Sequence, residues 1–117
     1  MRQAKVRVRG TITRLSLFSQ PVRCEATLFH NDSNFDFFFQ ESASKQVEFN
    51  NGTAVCDLTI PFKWANADSG EPVQVSISIR PVNFAPEKLE RSTSQTLRDI
   101  PLPPEGTTTG VRFDIVM

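Results

Sequence analysis

The chain has no tyrosine and a single tryptophan among its 117 residues, although phenylalanine occurs ten times. A tyrosine-rich contact surface of the antibody kind is therefore excluded. Imidazole and thiol chemistry is equally scarce: His30 is the only histidine, and Cys24 and Cys56 are the only cysteines. With no second histidine and no Cys-x-x-Cys pair, a zinc centre lacks its usual ligands. Net charge is also missing, since Lys+Arg 13 balances Asp+Glu 13, which argues against a nucleic-acid partner. No apolar run reaches the length of a membrane span, so no membrane insertion is expected. The opening Met1-Arg2-Gln3-Ala4-Lys5-Val6-Arg7 has none of the apolar core of a secretory signal. The expected location is therefore cytoplasmic, with both thiols reduced. A glycine-rich phosphate loop, a nucleophile elbow and a facing pair of carboxylates are all lacking. The expectation is a protein that is not an enzyme and carries no cofactor.

What is present is β-strand patterning over a length suited to one domain, residues 1–117. Val6, Val8, Gly10 and Ile12 alternate with polar residues, and the parity then shifts to Leu15 and Leu17. That shift predicts a bulge or a crossing between sheets near Thr13-Arg14. Val22, Cys24, Ala26 and Leu28 share one face of a second strand. The turn Asn31-Asp32-Ser33-Asn34 leads into Phe35-Asp36-Phe37-Phe38-Phe39. Pairing His30 with Phe35 sets Leu28 against Phe37 and Ala26 against Phe39, apolar on apolar. Val47 and Phe49 mark a short fourth strand, and Asn51-Gly52 is a two-residue hairpin signal pairing Asn50 with Thr53. Continued outward, that register sets Phe49 against Ala54 and Val47 against Cys56.

Cys56, Leu58, Ile60, Phe62 and Trp64 then share a face, as do Val73, Val75, Ile77 and Ile79, and finally Val111, Phe113, Ile115 and Met117. Between these last two, Pro86–Arg91 suits a short helix and Ser92–Ile100 an extended strand. Seven to eight antiparallel strands with frequent turn signals predict an all-β, immunoglobulin-like Greek-key sandwich.

Five groups of residues are candidates for chemistry or binding. Asp32, Asn34 and Asp36 match the first half of a calcium loop, but Phe37 and Ala43 stand where that loop needs glycine and glutamate; ordinary turn chemistry explains them as well. Cys24 and Cys56 both point toward the core, which reads as buried thiols, or as an inter-sheet disulfide in an oxidising compartment. Asn31-Asp32-Ser33 and Asn51-Gly52-Thr53 are glycosylation sequons, and Pro101-Leu102-Pro103-Pro104 fits P-x-x-P, though it also suits a turn. Phe29 and Phe38 fall diagonally on the outer face of the second and third strands. They either form a docking spot or lie beneath residues 81–106.

One further pattern is electrostatic. The first thirty residues carry Arg2, Lys5, Arg7, Arg9, Arg14 and Arg23 against Glu25 alone, and the middle of the chain is acidic. Either the two regions steer a partner, or they neutralise each other on adjacent strands.

The leading functional expectation is a non-catalytic protein–protein interaction module, an accessory subunit or adaptor of a larger assembly. Its partner is another protein or a second copy, docked through Phe29 and Phe38 or by strand addition at a sheet edge. The alternative is a ligand-binding sandwich whose end loops take calcium or carbohydrate.

Overall fold

A computed structural model describes residues 2–14, 21–29, 36–37, 41–65, 72–82 and 93–117. They form eight strands: β1 (Arg2–Thr13), β2 (Val22–Phe29), β3 (Asp36–Phe37), β4 (Ser42–Val47), β5 (Thr53–Ala65), β6 (Val73–Pro81), β7 (Thr93–Ile100) and β8 (Thr108–Val116). One sheet has the order β3-β5-β1-β8 and the other β4-β2-β6-β7. The result is an all-β, sandwich-like fold of two packed sheets.

Side-chain alternation explains why the sheets stack. In β1, Ala4, Val6, Val8 and Ile12 are buried while Lys5, Arg7 and Arg9 face water. The alternate residues Ala54 to Trp64 of β5 are buried in the same way. Facing them from the second sheet are Val22, Cys24, Ala26 and Leu28 of β2, with Val73, Val75, Ile77 and Ile79 of β6. Each sheet thus has one apolar face, and stacking removes both from water. Phe62 and Trp64 stack with ring centroids 5.1 Å apart, filling one end of the core.

The Asn51-Gly52 turn forms as its sequence predicts. Asn50 and Thr53 exchange both backbone hydrogen bonds, at 2.8 and 3.2 Å. Asn51 and Gly52 have φ of 55° and 80°, the left-handed pair of a type I′ turn. The ladder beyond it does not form, because β4 pairs with β2 and β5 with β1. Val47 lies opposite Val22 rather than Cys56, and Cys56 lies opposite Gly10. The turn is the corner at which the chain passes from one sheet to the other.

Two other expectations are corrected. β2 has β4 on one side and β6 on the other, so no flank remains for a hairpin with residues 35–39. Phe37 instead lies opposite Trp64 in the other sheet. The last strand pairs with the first in parallel, Val8 opposite Val111, so the sandwich is not wholly antiparallel. β1 and β2 lie in opposite sheets. β1 runs unbroken to Thr13, with Arg14 continuing its inward parity. Of the two outcomes expected near Thr13-Arg14, the crossing between sheets fits and the bulge does not. Leu15 and Leu17 lie outside the described residues, as do the expected helix at Pro86–Arg91 and the inward placement of Phe35 and Phe39. Ser92–Ile100 is extended as expected over Thr93–Ile100.

Candidate functional site: the β8 edge and the outer face of its sheet

Strand parity turns one sheet into a charged surface. Lys5, Arg7 and Arg9 of β1, Lys63 of β5 and Arg112 of β8 occupy outward positions, against Asp57, Asp114 and, at the register position opposite Ala65, Asp36. Asp57 is fully engaged. Arg7 donates to it twice, Nε to Oδ1 at 3.0 Å and Nη2 to Oδ2 at 2.6 Å, and Arg9 approaches at 3.7 Å. The hydrogen bonds from Arg7 hold the Asp57 carboxyl below its ordinary value of 3.8, and the same pairing raises Arg7. Asp114 accepts a short hydrogen bond from the Thr11 hydroxyl.

Neutralisation between neighbouring strands is therefore real at Asp57, yet it leaves a cationic surplus on this face. Arg112 sits directly beside Arg9 in the parallel ladder. Like charges side by side on adjacent strands repel unless an anion joins them. The outer face of the second sheet is different: Thr27, Ser44, Gln46, Ser76 and Ser78 dominate it, and its charges include an Arg80–Glu25 contact at 3.7 Å.

Edges are where a sheet offers unpaired backbone, and these four edges differ. β3 is two residues long. β4 carries Lys45 at a position whose ladder neighbour, Cys24, points inward, so a charge sits on the core side of that edge. β7 is broken by a register shift opposite Val73–Val75, where Asp99 takes φ of 58°. Shortness, an inward charge and a bulge are the usual guards against strand addition.

β8 has none of them. It runs for nine residues without proline or register shift. The Thr107 carbonyl accepts from the Lys5 N–H at 3.0 Å, and the Met117 N–H donates to the Thr13 carbonyl at 2.8 Å. Odd-numbered residues thus turn their backbone groups toward β1. The N–H and C=O of one strand residue point the same way, so Gly110, Arg112 and Asp114 turn theirs to the free edge. Among the described residues, no strand pairs with that edge. Two shallow recesses flank the β1–β8 seam. One, about 330 Å³, is lined by Gln3, Lys5, Lys63 and Thr107; the other, about 300 Å³, by Arg9, Val55, Arg112 and Asp114.

The residues singled out in the sequence fall elsewhere. Phe29 is half-buried at the end of β2, opposite Gln74. Phe38 lies outside the described residues, and the hairpin that set it beside Phe29 is not the pairing formed. Of the calcium candidates, Asp36 lies in β3 opposite Ala65, while Asp32 and Asn34 lie outside the described residues, as does His30. Among the described residues, no three His, Cys, Asp or Glu side chains group as a metal site. No helix among them is long and apolar enough to cross a membrane. The Arg9–Arg112 juxtaposition was missed because it depends on a parallel pairing between the two ends of the chain. Matching outward arginines in the first and last strands were the signal available for it.

Comparison of the chain with protein-family models, with curated proteins and with solved structures finds no match.

Proposed function

We propose that the chain is a Greek-key sandwich acting as a non-catalytic protein-interaction module, which takes an extended acidic segment of a partner protein as an added strand on β8. The Greek-key reading is supported by strand order. β2 pairs with β4, β4 leads to β5 through the Asn50–Thr53 bridge, and β6 returns beside β2, with β3 inserted between β2 and β4 in the chain. The functional reading rests on one observation: the long β8 edge, which carries no guard, borders a face with surplus positive charge. Backbone hydrogen bonds along β8 supply affinity, and Arg112 with Arg9 select carboxylates on the incoming strand. Electrostatic attraction of this kind acts mainly on the association rate and weakens with salt.

The test uses a synthetic peptide of alternating valine and glutamate, with amide hydrogen exchange read by NMR. The expected result is slowed exchange at Gly110, Arg112 and Asp114, lost in 0.5 M salt (roughly a 4 Å screening length). Arg112→Pro removes a free-edge N–H without removing a hydrogen bond to β1, so it should fold yet give no protection. Unchanged exchange along β8 at saturating peptide would overturn the proposal, as would equal protection in the proline variant.

A further inference from the structure

Cys24 and Cys56 are the only thiols in the chain, and both are completely buried. They belong to different sheets, Cys24 to β2 and Cys56 to β5. Across the core, these two strands approach each other within 8 Å, Cα to Cα. A disulfide needs Cα atoms no more than about 7 Å apart, so a bridge between facing sheets is feasible only at such an approach. Both side chains point into the core from facing sheets, and each thiol perturbs the other's proton affinity. Opposite Cys56 in the ladder is Gly10, whose side-chain space is filled by the ring of Phe113 from β8.

We infer that Cys24 and Cys56 form a redox-sensitive staple: a dithiol in reducing surroundings, and an intramolecular disulfide joining the two sheets in oxidising ones. Interaction with Cys56, together with burial, pushes the Cys24 thiol up, and the same interaction holds Cys56 below its ordinary value. Lys45 favours the Cys56 thiolate and Asp57 opposes it. The overall exchange is the same whichever sulfur attacks first.

When Cys56 goes first and oxidised glutathione is the oxidant, the Cys56 thiolate attacks one glutathione sulfur. The glutathione S–S bond breaks, and the departing glutathione leaves with the proton that Cys56 gave up. Cys24 then attacks the Cys56 sulfur of the mixed disulfide. The second glutathione leaves with the Cys24 proton, and the Cys24–Cys56 bond closes. Two protein thiols are oxidised by two electrons, and one glutathione disulfide is reduced to two thiols. Because neither sulfur reaches solvent, the exchange proceeds through local opening and is slow in the native state.

The staple is tested by equilibrating the protein in glutathione redox buffers, in native buffer and in concentrated urea, with acid quenching and mass spectrometry. A fold that holds the sulfurs together favours the disulfide by the same factor by which the disulfide favours the fold. For a loop of this length the equilibrium constant should be on the order of 100-fold larger in native buffer. Peptide mapping should join Cys24 to Cys56 within one chain, and Cys24→Ser or Cys56→Ser should give only a glutathione adduct. An equilibrium constant no larger in native buffer than in urea would refute the staple. So would cross-linking confined to pairs of chains.

Discussion

At Gly10 an inward position of β1 carries no side chain, and the ring of Phe113, its partner in the parallel ladder, occupies the space. A Cβ there would lie inside the van der Waals envelope of that ring. The ring cannot retreat freely, because Phe113 is itself buried in the core. Gly10→Ala should therefore cost about 1–3 kcal/mol through overpacking, despite alanine's better strand entropy. Urea unfolding measures it, and a midpoint equal to the parent's would show that the ring relocates without cost. Asp57 gives a second prediction at this scale, one of pH. Its pKa is depressed in the folded state, so the associated stabilisation is present above the unfolded value, about 3.9. It is lost as pH falls through the lower folded value. In Arg7→Gln the Asp57 titration, followed by carboxyl NMR, should move back toward 3.8, and the acid limb of the stability curve should flatten below roughly pH 4. No change in either would mean that Arg9 and Lys45 set the shift without Arg7.

Among the elements, legibility tracks sequence separation. Inward faces were readable wherever apolar residues alternate: Val6, Val8 and Ile12, Cys56 to Trp64, Val73 to Ile79, and Phe113 with Ile115 are all core residues. The Asn51-Gly52 turn was readable because positive φ at two consecutive residues selects few residue types. Pairing across distance was not readable. Residues 35–39 match β2 in parity, but parity fits any strand with an apolar face, and β4 and β6 hold both flanks of β2. Arg14 shows a related limit. Its charge suggests an outward position, whereas it is buried with its guanidinium 3.9 Å above the Phe49 ring. A cation–π contact of that kind offsets part of the desolvation that a charged residue otherwise suffers. The edge guards at Lys45 and Asp99 were equally hidden, since a lysine or an aspartate gains that role only once its strand is known to be an edge.

For the molecule as a whole, the decisive contact is between its two ends. β1 lies between β5 and β8, so the first strand is completed by the last across almost the full length of the chain. Contacts of such high sequence separation are the slowest to form, and folding on the millisecond to second scale is the corresponding expectation. The same arrangement concentrates stability in β8. Phe113 and Ile115 are buried and Val111 and Met117 are packed against the core. Burying an apolar side chain contributes about 1.5–3 kcal/mol, so these residues together rival the roughly 5–15 kcal/mol that keeps a whole domain folded. Deleting residues 108–117 also strips the parallel ladder from β1 and uncovers the space at Gly10. The truncated chain should consequently show no cooperative thermal transition by circular dichroism, and its amides should exchange without protection. A sigmoidal melt near the parent midpoint would instead show that β5 alone secures β1. In that case β8 would be an appended strand, one that could itself be exchanged for a partner's.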